Sequence, residues 1–435
     1  MTLKSPSLPE DLYGLSLSTS SEVAELYNDA LGRILRTESD AHQPLIAAVE
    51  QDPDFAMGHL ALAVLSHEFG GDESTKVHLK KAQALSPRAT KRERHFIDAY
   101  AHRVAGDYDY LLDYLRDHPR DVLGVSVSIP TIAFSGAYKV PSEAWQALEE
   151  MASHFDNDWW YSGLLSFARQ DQGRMDEALV LAERSLSIEP RGGNAAHSAA
   201  HVYLETGRHE QGLGWLDHWI AEAGQDSNHR CHYSWHAALY ELALDDTEAV
   251  IRRFSRELAP NVVTGARALI DTASLVFRCH LEEINIPEAD PRAILEAAGN
   301  ALHNPPTPFI EFHCGLGLAL INDEEGLLKL RLRCSKIGSE QVRKIMAGFV
   351  DALLAYIRGD FSTAADGMLA IWPHLVPIGG SYVQREVVLD TAISSLCRAG
   401  RGNEAAQLLL ARLERRDRPR DRVLLQRARA SNRLV

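Results

Sequence analysis

Gln172-Gly173-Arg174-Met175-Asp176-Glu177-Ala178-Leu179 is echoed by Thr206-Gly207-Arg208-His209-Glu210-Gln211-Gly212-Leu213, with the two glycines 34 residues apart. The chain around them reads as amphipathic helices. Apolar residues recur at three and four along Glu177 to Leu186, and strand-like alternation is scarce. A two-helix unit with this period is the tetratricopeptide signature. Working outward, turns at Gly70-Gly71, Gly106-Asp107, Tyr138 to Pro141, Gly173, Gly207 and Asp245-Asp246 are spaced by about 33 to 38 residues. Turns at Ile284 to Pro287, Asn322-Asp323, Gly359-Asp360 and Gly400-Arg401 continue at roughly 37 to 41. The unit from Trp160 to Pro190 fits best. Its Leu165, Gly173, Ala178 and Ala182 are small or apolar where paired helices must approach.

The expected fold is therefore all-α: one α-solenoid of about ten tetratricopeptide-like helix-turn-helix repeats, curled into a superhelix over residues 1–435. Repeats over 22–245 are the more regular, and those over 246–411 are longer and divergent. Residues 412–435 form an Arg-rich capping helix or tail; Arg412 to Arg433 holds nine Arg against three acids. A solvated helix face is expected there, relieving an otherwise acidic protein.

Composition narrows the function. The 435 residues carry 45 Lys+Arg against 60 Asp+Glu, a formal charge of -15, which speaks against nucleic-acid binding. A hydrophobic fraction of 45%, with 29 Gly and 18 Pro, excludes disordered and collagen-like chains. No run approaches the ~18 apolar residues of a membrane span, and Met1 to Pro6 lacks the apolar stretch of a signal peptide, so a cytoplasmic protein is expected. Cys231, Cys279, Cys314, Cys334 and Cys397 have no Cys-x-x-Cys spacing and are expected as reduced thiols.

The histidines carry the chemistry. His197 and His201 stand at i and i+4, with Glu205 one turn further on the same face. His232 and His236 repeat the arrangement 35 residues later, with Tyr240 one turn beyond. Two pairs one repeat apart belong on neighbouring helices, whose axes lie ~8–10 Å apart. A zincin is excluded, because Ser198 and Tyr233 stand where its Glu would be. Three readings remain open: a mononuclear divalent transition-metal site, zinc or iron first, of three His from among His197, His201, His232 and His236 with Glu205 or a water; a metal-free site using His197, His201, Glu205, His232 and His236 in acid–base catalysis; or buried structural histidines. No phosphate loop, dinucleotide fingerprint or nucleophile elbow occurs. Gly379-Gly380-Ser381 with Gln384-Arg385 could offer amides and a guanidinium to an anion.

Taken together, Ala196 to Glu205, Cys231 to Tyr240, Phe55-Ala56-Met57-Gly58-His59, Thr90-Lys91-Arg92-Glu93, Gly163 to Phe167, Asp271, Phe309 with His313, and Gly379 to Arg385 resemble the tetratricopeptide repeat protein 38 family along nearly the whole chain. The resemblance implies an α-solenoid and brings no activity with it. Two positions depart from it: Ile129-Pro130 replaces a His-Asp pair, and Glu311 stands where an Asp is usual. The expectation is a concave pocket lined by the His set, approached by His59, Asp271, His313, Gln384, Arg385 and Tyr240. It would take a small polar or carboxylate-bearing ligand. The alternative is a non-catalytic scaffold holding a protein or peptide partner in its groove.

Overall fold

The computed structural model describes residues 8–68, 71–137, 141–336 and 338–431. Among the described residues the chain is helical throughout, with two isolated β-bridges, Glu10–Ser16 and Glu38–Ser227, as its extended pairings. Left-handed residues set the punctuation: Gly106, Gly173, Gly207, Asp245, Glu283, Asn322, Gly359 and Gly400 all have φ between 53° and 90°. After each, the next amide reaches back across the turn, as in Arg174 N to Arg169 O, Arg208 N to Tyr203 O, Asp246 N to Glu241 O and Arg401 N to Leu396 O, all at 2.9 Å. This Schellman closure satisfies the last carbonyls of one helix and reverses the chain into the next. The expected turns at Gly70 and over 138–140 lie outside the described residues.

The two glycines that open the reading differ in surroundings. A Cβ on Gly173 would meet nothing within 4 Å, whereas one on Gly207 would meet the backbone N and O of Asp417 at 2.9 Å. Both sit at positive φ, where a side chain costs roughly 1–2 kcal/mol. Gly207→Ala is therefore expected to cost about 1–3 kcal/mol more than Gly173→Ala, read from urea midpoints. Equal midpoint shifts would contradict the packing of Asp417 on Gly207.

The chain forms two compact units, Met1–Ala199 with Ala223–His229, and Ala200–Glu222 with Arg230–Val435. In the first, successive helices pack as pairs, Ala56–Glu68 on Asp72–Leu85 and Trp159–Asp171 on Met175–Ile188. Its core is built on buried Phe55, Phe96, Tyr100, Tyr114 and Trp160. The 223–229 segment joins it through the Glu38–Ser227 bridge.

In the second unit, Arg230–Ala243 packs on His209–Ala221. The segments Phe254–Leu258 and Ala268–Ala273 are π-helical, and the latter runs directly into Ser274–Leu281. Pro308–Leu320 packs on Ala268–Ala273, and Phe277, Phe312, Phe349 and Leu353 form the core beside it. Val387–Arg398, Gly402–Arg415 and Pro419–Ser431 close the chain.

The Arg-rich tail is only in part the solvated face expected of it: Arg415, Arg422, Arg427 and Arg429 are exposed, and the others described turn inward. Arg412, Arg416, Arg418 and Arg420 are buried. Arg412 takes both oxygens of Asp421, at 2.6 and 2.7 Å, and Asp390 at 2.6 Å, while Arg278 meets the other oxygen of Asp390. Arg416 pairs with Glu386, and Arg420 with Glu282 at 2.6 Å. Four buried carboxylates on the preceding helices and on Asp421 need counter-charges, so the arginines turn inward. No helix among the described residues is long and apolar enough to cross a membrane.

Candidate functional site

His201 and Glu205 lie on the helix Gly193–Glu205, and His232 and His236 on Arg230–Ala243, each pair one turn apart. The 35-residue offset brings the helices together as its period demands: the His201 and His236 rings meet edge-on, with centroids 4.5 Å apart. His232 and His236 meet the same way at 4.8 Å, and Trp235 stacks on His232 at 5.3 Å. All of these rings are buried. His197 stands on Gly193–Glu205 as well, one turn before His201. His197, His201 and His236 each offer a ligand atom, and these atoms lie within 4.8 Å of one another. Nitrogens around a tetrahedral zinc stand roughly 3.4 Å apart, given Zn–N of about 2.0–2.1 Å. These three histidines could bind a metal.

His232 is directed elsewhere. Its Nδ1 donates to Oδ1 of Asp271 at 2.6 Å, in the π-helical segment Ala268–Ala273. Arg267, one turn before, approaches the other oxygen of Asp271 at 3.4 Å, and Cys231 Sγ lies 3.9 Å from it. Burial raises the Asp271 pKa, but His232 and Arg267 outweigh it, and the carboxyl lies below its ordinary value. Burial lowers His232 despite Asp271, so a neutral imidazole with its proton on Nδ1 faces an ionised carboxylate. Burial pushes His201 down to about 3, with His232 adding to it, and holds His236 well below its ordinary value. Neutral imidazole is the ligating form. Burial also pushes the Cys231 thiol up to about 12, which removes it as a thiolate ligand or nucleophile at neutral pH.

Glu205 is buried, with Oε1 4.0 Å from His201 Nδ1 and Oε2 2.5 Å from the Arg415 guanidinium. Tyr240 donates its hydroxyl to the Ala200 carbonyl. His313 is buried with its Nδ1 donating to Phe309 O at 2.8 Å, and burial pushes it down to about 4. Asp271 exerts an opposing pull on that value, so the two share one electrostatic environment.

The remaining expected ligand groups have structural partners. Gln384 and Ser381 form a reciprocal capping box, and Arg385 bonds the Gly379 and Gly380 carbonyls. Gly380 itself leaves no room for a Cβ against the Phe309 ring. This turn is a cap, and its anion-binding groups are spent on it. His59 belongs to the first unit, where its Nδ1 lies 3.2 Å from His78 Nδ1 and its Nε2 3.2 Å from Pro53 O. Thr90 and Glu93 are likewise a capping box, and Glu311 is buried on Arg333 at 2.7 Å. Arg267 and Arg415 are the site residues missed in the sequence. Neither has a spacing signal, since a π-helical turn places the first and a return of the chain 210 residues later places the second. No protein-family model matches the chain.

Proposed function

We propose that this chain is a metal-binding helical-repeat protein of the tetratricopeptide repeat protein 38 family, and that it performs metal-assisted acid–base chemistry on a small polar molecule. The observation that carries the reading is the group His197, His201 and His236, three buried imidazoles brought together from two helices. Three imidazoles and no thiolate suit a divalent first-row ion, zinc first. When bound, such an ion supplies Lewis acidity and lowers the pKa of water. His232 supplies the base: Asp271 fixes its tautomer and raises its basicity, while Trp235 stacked on the ring holds its plane. Arg267, partly exposed beside Asp271, is the group that would receive an anionic part of the substrate.

The test is zinc content together with turnover. Zinc-loaded protein is incubated with a small-molecule extract, and consumption of components is followed by mass spectrometry. His232→Ala is expected to keep its zinc and lose turnover by about 100-fold or more. Loss of zinc and turnover together would contradict the assignment of His232 as base. A second reading is favoured by the complete burial of His201 and His236: the ion fixes the helices of a non-catalytic scaffold, and its partner binds elsewhere in the groove. In that case chelation lowers the unfolding temperature and no component of the extract is consumed.

A further inference from the structure

The buried carboxylate of Glu205 and the cation that holds it have no part in the metal set or in the His232–Asp271 pair. Glu205 follows His201 by four residues, so the two side chains share a helix face. Its Oε1 lies 4.0 Å from His201 Nδ1, about 1 Å beyond a hydrogen bond. Its Oε2 is held at 2.5 Å by Arg415, from the far end of the same unit. Arg415 is fixed in turn, because its guanidinium lies over the Tyr382 ring at 3.7 Å. Directly after it, His209 Nε2 bonds the Asp417 carbonyl at 2.8 Å and Gly207 admits the Asp417 backbone. The end of Gly402–Arg415 is thereby seated on the turn that follows Glu205.

We infer that Arg415 is a positioning residue for the metal site, acting through Glu205 on the His201 ring; the inference rests on the metal reading above. Once the gap to Nδ1 closes, the carboxylate accepts the proton there and selects that tautomer of His201. It also orients the ring and raises its strength as a ligand. Arg415 anchors one oxygen so that the other faces His201. Without the anchor the carboxylate is no longer aimed, and the ring loses its orienting partner.

The experiment titrates the full chain with Zn2+ against a chromophoric chelator and records the visible spectrum of the Co2+ form. The proteins are the wild type, Glu205→Gln, Arg415→Gln, Arg415→Lys and the double variant Glu205→Gln/Arg415→Gln. Each Gln variant is expected to weaken Zn2+ binding by about 10- to 100-fold and to shift the Co2+ bands. Arg415→Lys should restore most of the affinity, and the double variant should be no weaker than Glu205→Gln alone. Metal-free unfolding temperatures separate these effects from a loss of folding. Wild-type affinity and spectrum in Arg415→Gln would overturn the inference while leaving the metal site standing. A double variant weakened by the product of the two single effects would overturn the relay through Glu205. A wild-type protein that binds neither ion overturns the metal reading and this inference with it.

Discussion

Replacing Arg412 with alanine is expected to destabilise the second unit by about 3–5 kcal/mol, the cost of leaving buried carboxylates without their cation. Arg412 is buried and bonds Asp421 through two nitrogens and Asp390 through a third. Its removal takes one of two arginine partners from each of two acids at once. Asp390 retains Arg278, and Asp421 retains Arg418 at 2.9 Å, which keeps the cost within that range. Urea unfolding of the full chain measures it; a midpoint shift worth less than about 1 kcal/mol, the size of an exposed pair, would contradict the buried knot.

The same knot carries a pH dependence of fixed sign. Burial raises the Glu386 pKa, but Arg416, Arg412 and Arg418 outweigh it and hold the carboxyl down at about 2. A group whose folded pKa is depressed contributes stability that is complete above its unfolded value of 4.5. That contribution is lost as the pH falls toward 2. On the order of 3 kcal/mol is expected to disappear across that window. Urea midpoints at pH 6, 4 and 2.5 check it, and the loss should be smaller in Glu386→Gln, where the titrating group is gone.

His236→Ala is the second large effect. It removes one of three converging imidazoles and leaves His197 and His201 on a single helix. Two ligands from one helix lack the closure that a tetrahedral ion needs. Bound zinc is expected to fall from about one per chain to near zero. For the wild type, zinc at 1,000 times its Kd contributes about 4 kcal/mol to stability. Chelation should therefore lower its unfolding temperature and leave that of His236→Ala unchanged. Equal chelator sensitivity in the two proteins would contradict the assignment.

These effects separate what was legible in the sequence from what was not. The 34-residue echo was legible because its glycines and acids mark left-handed residues, and a left-handed turn is a local requirement. Gly173, Gly207, Asp245, Asn322, Gly359 and Gly400 each occupy one. The meeting of His201 with His236 was legible for the same reason, since a repeat places equal positions on adjacent helices. Asp271 is among the candidate ligand groups in the sequence, but its pairing with His232 is not legible there, because it depends on a π-helical turn that no spacing rule announces. The inward arginines were misread as solvated. Their partners Asp390, Glu386 and Glu282 lie 22, 30 and 138 residues away, and a charge run says nothing about distant acids. Gln384 and Arg385 looked like ligand groups because a capping box and an anion cradle use the same residues. The turn's own carbonyls and amides claimed them.

The central claim is that His197, His201 and His236 hold a metal ion. The most direct measurement is elemental analysis of full-length protein purified without a histidine tag and dialysed after exposure to zinc. The account predicts one zinc per chain in the wild type and close to none in His236→Ala. A wild type that emerges without metal, or a variant that retains the same ion, would contradict it.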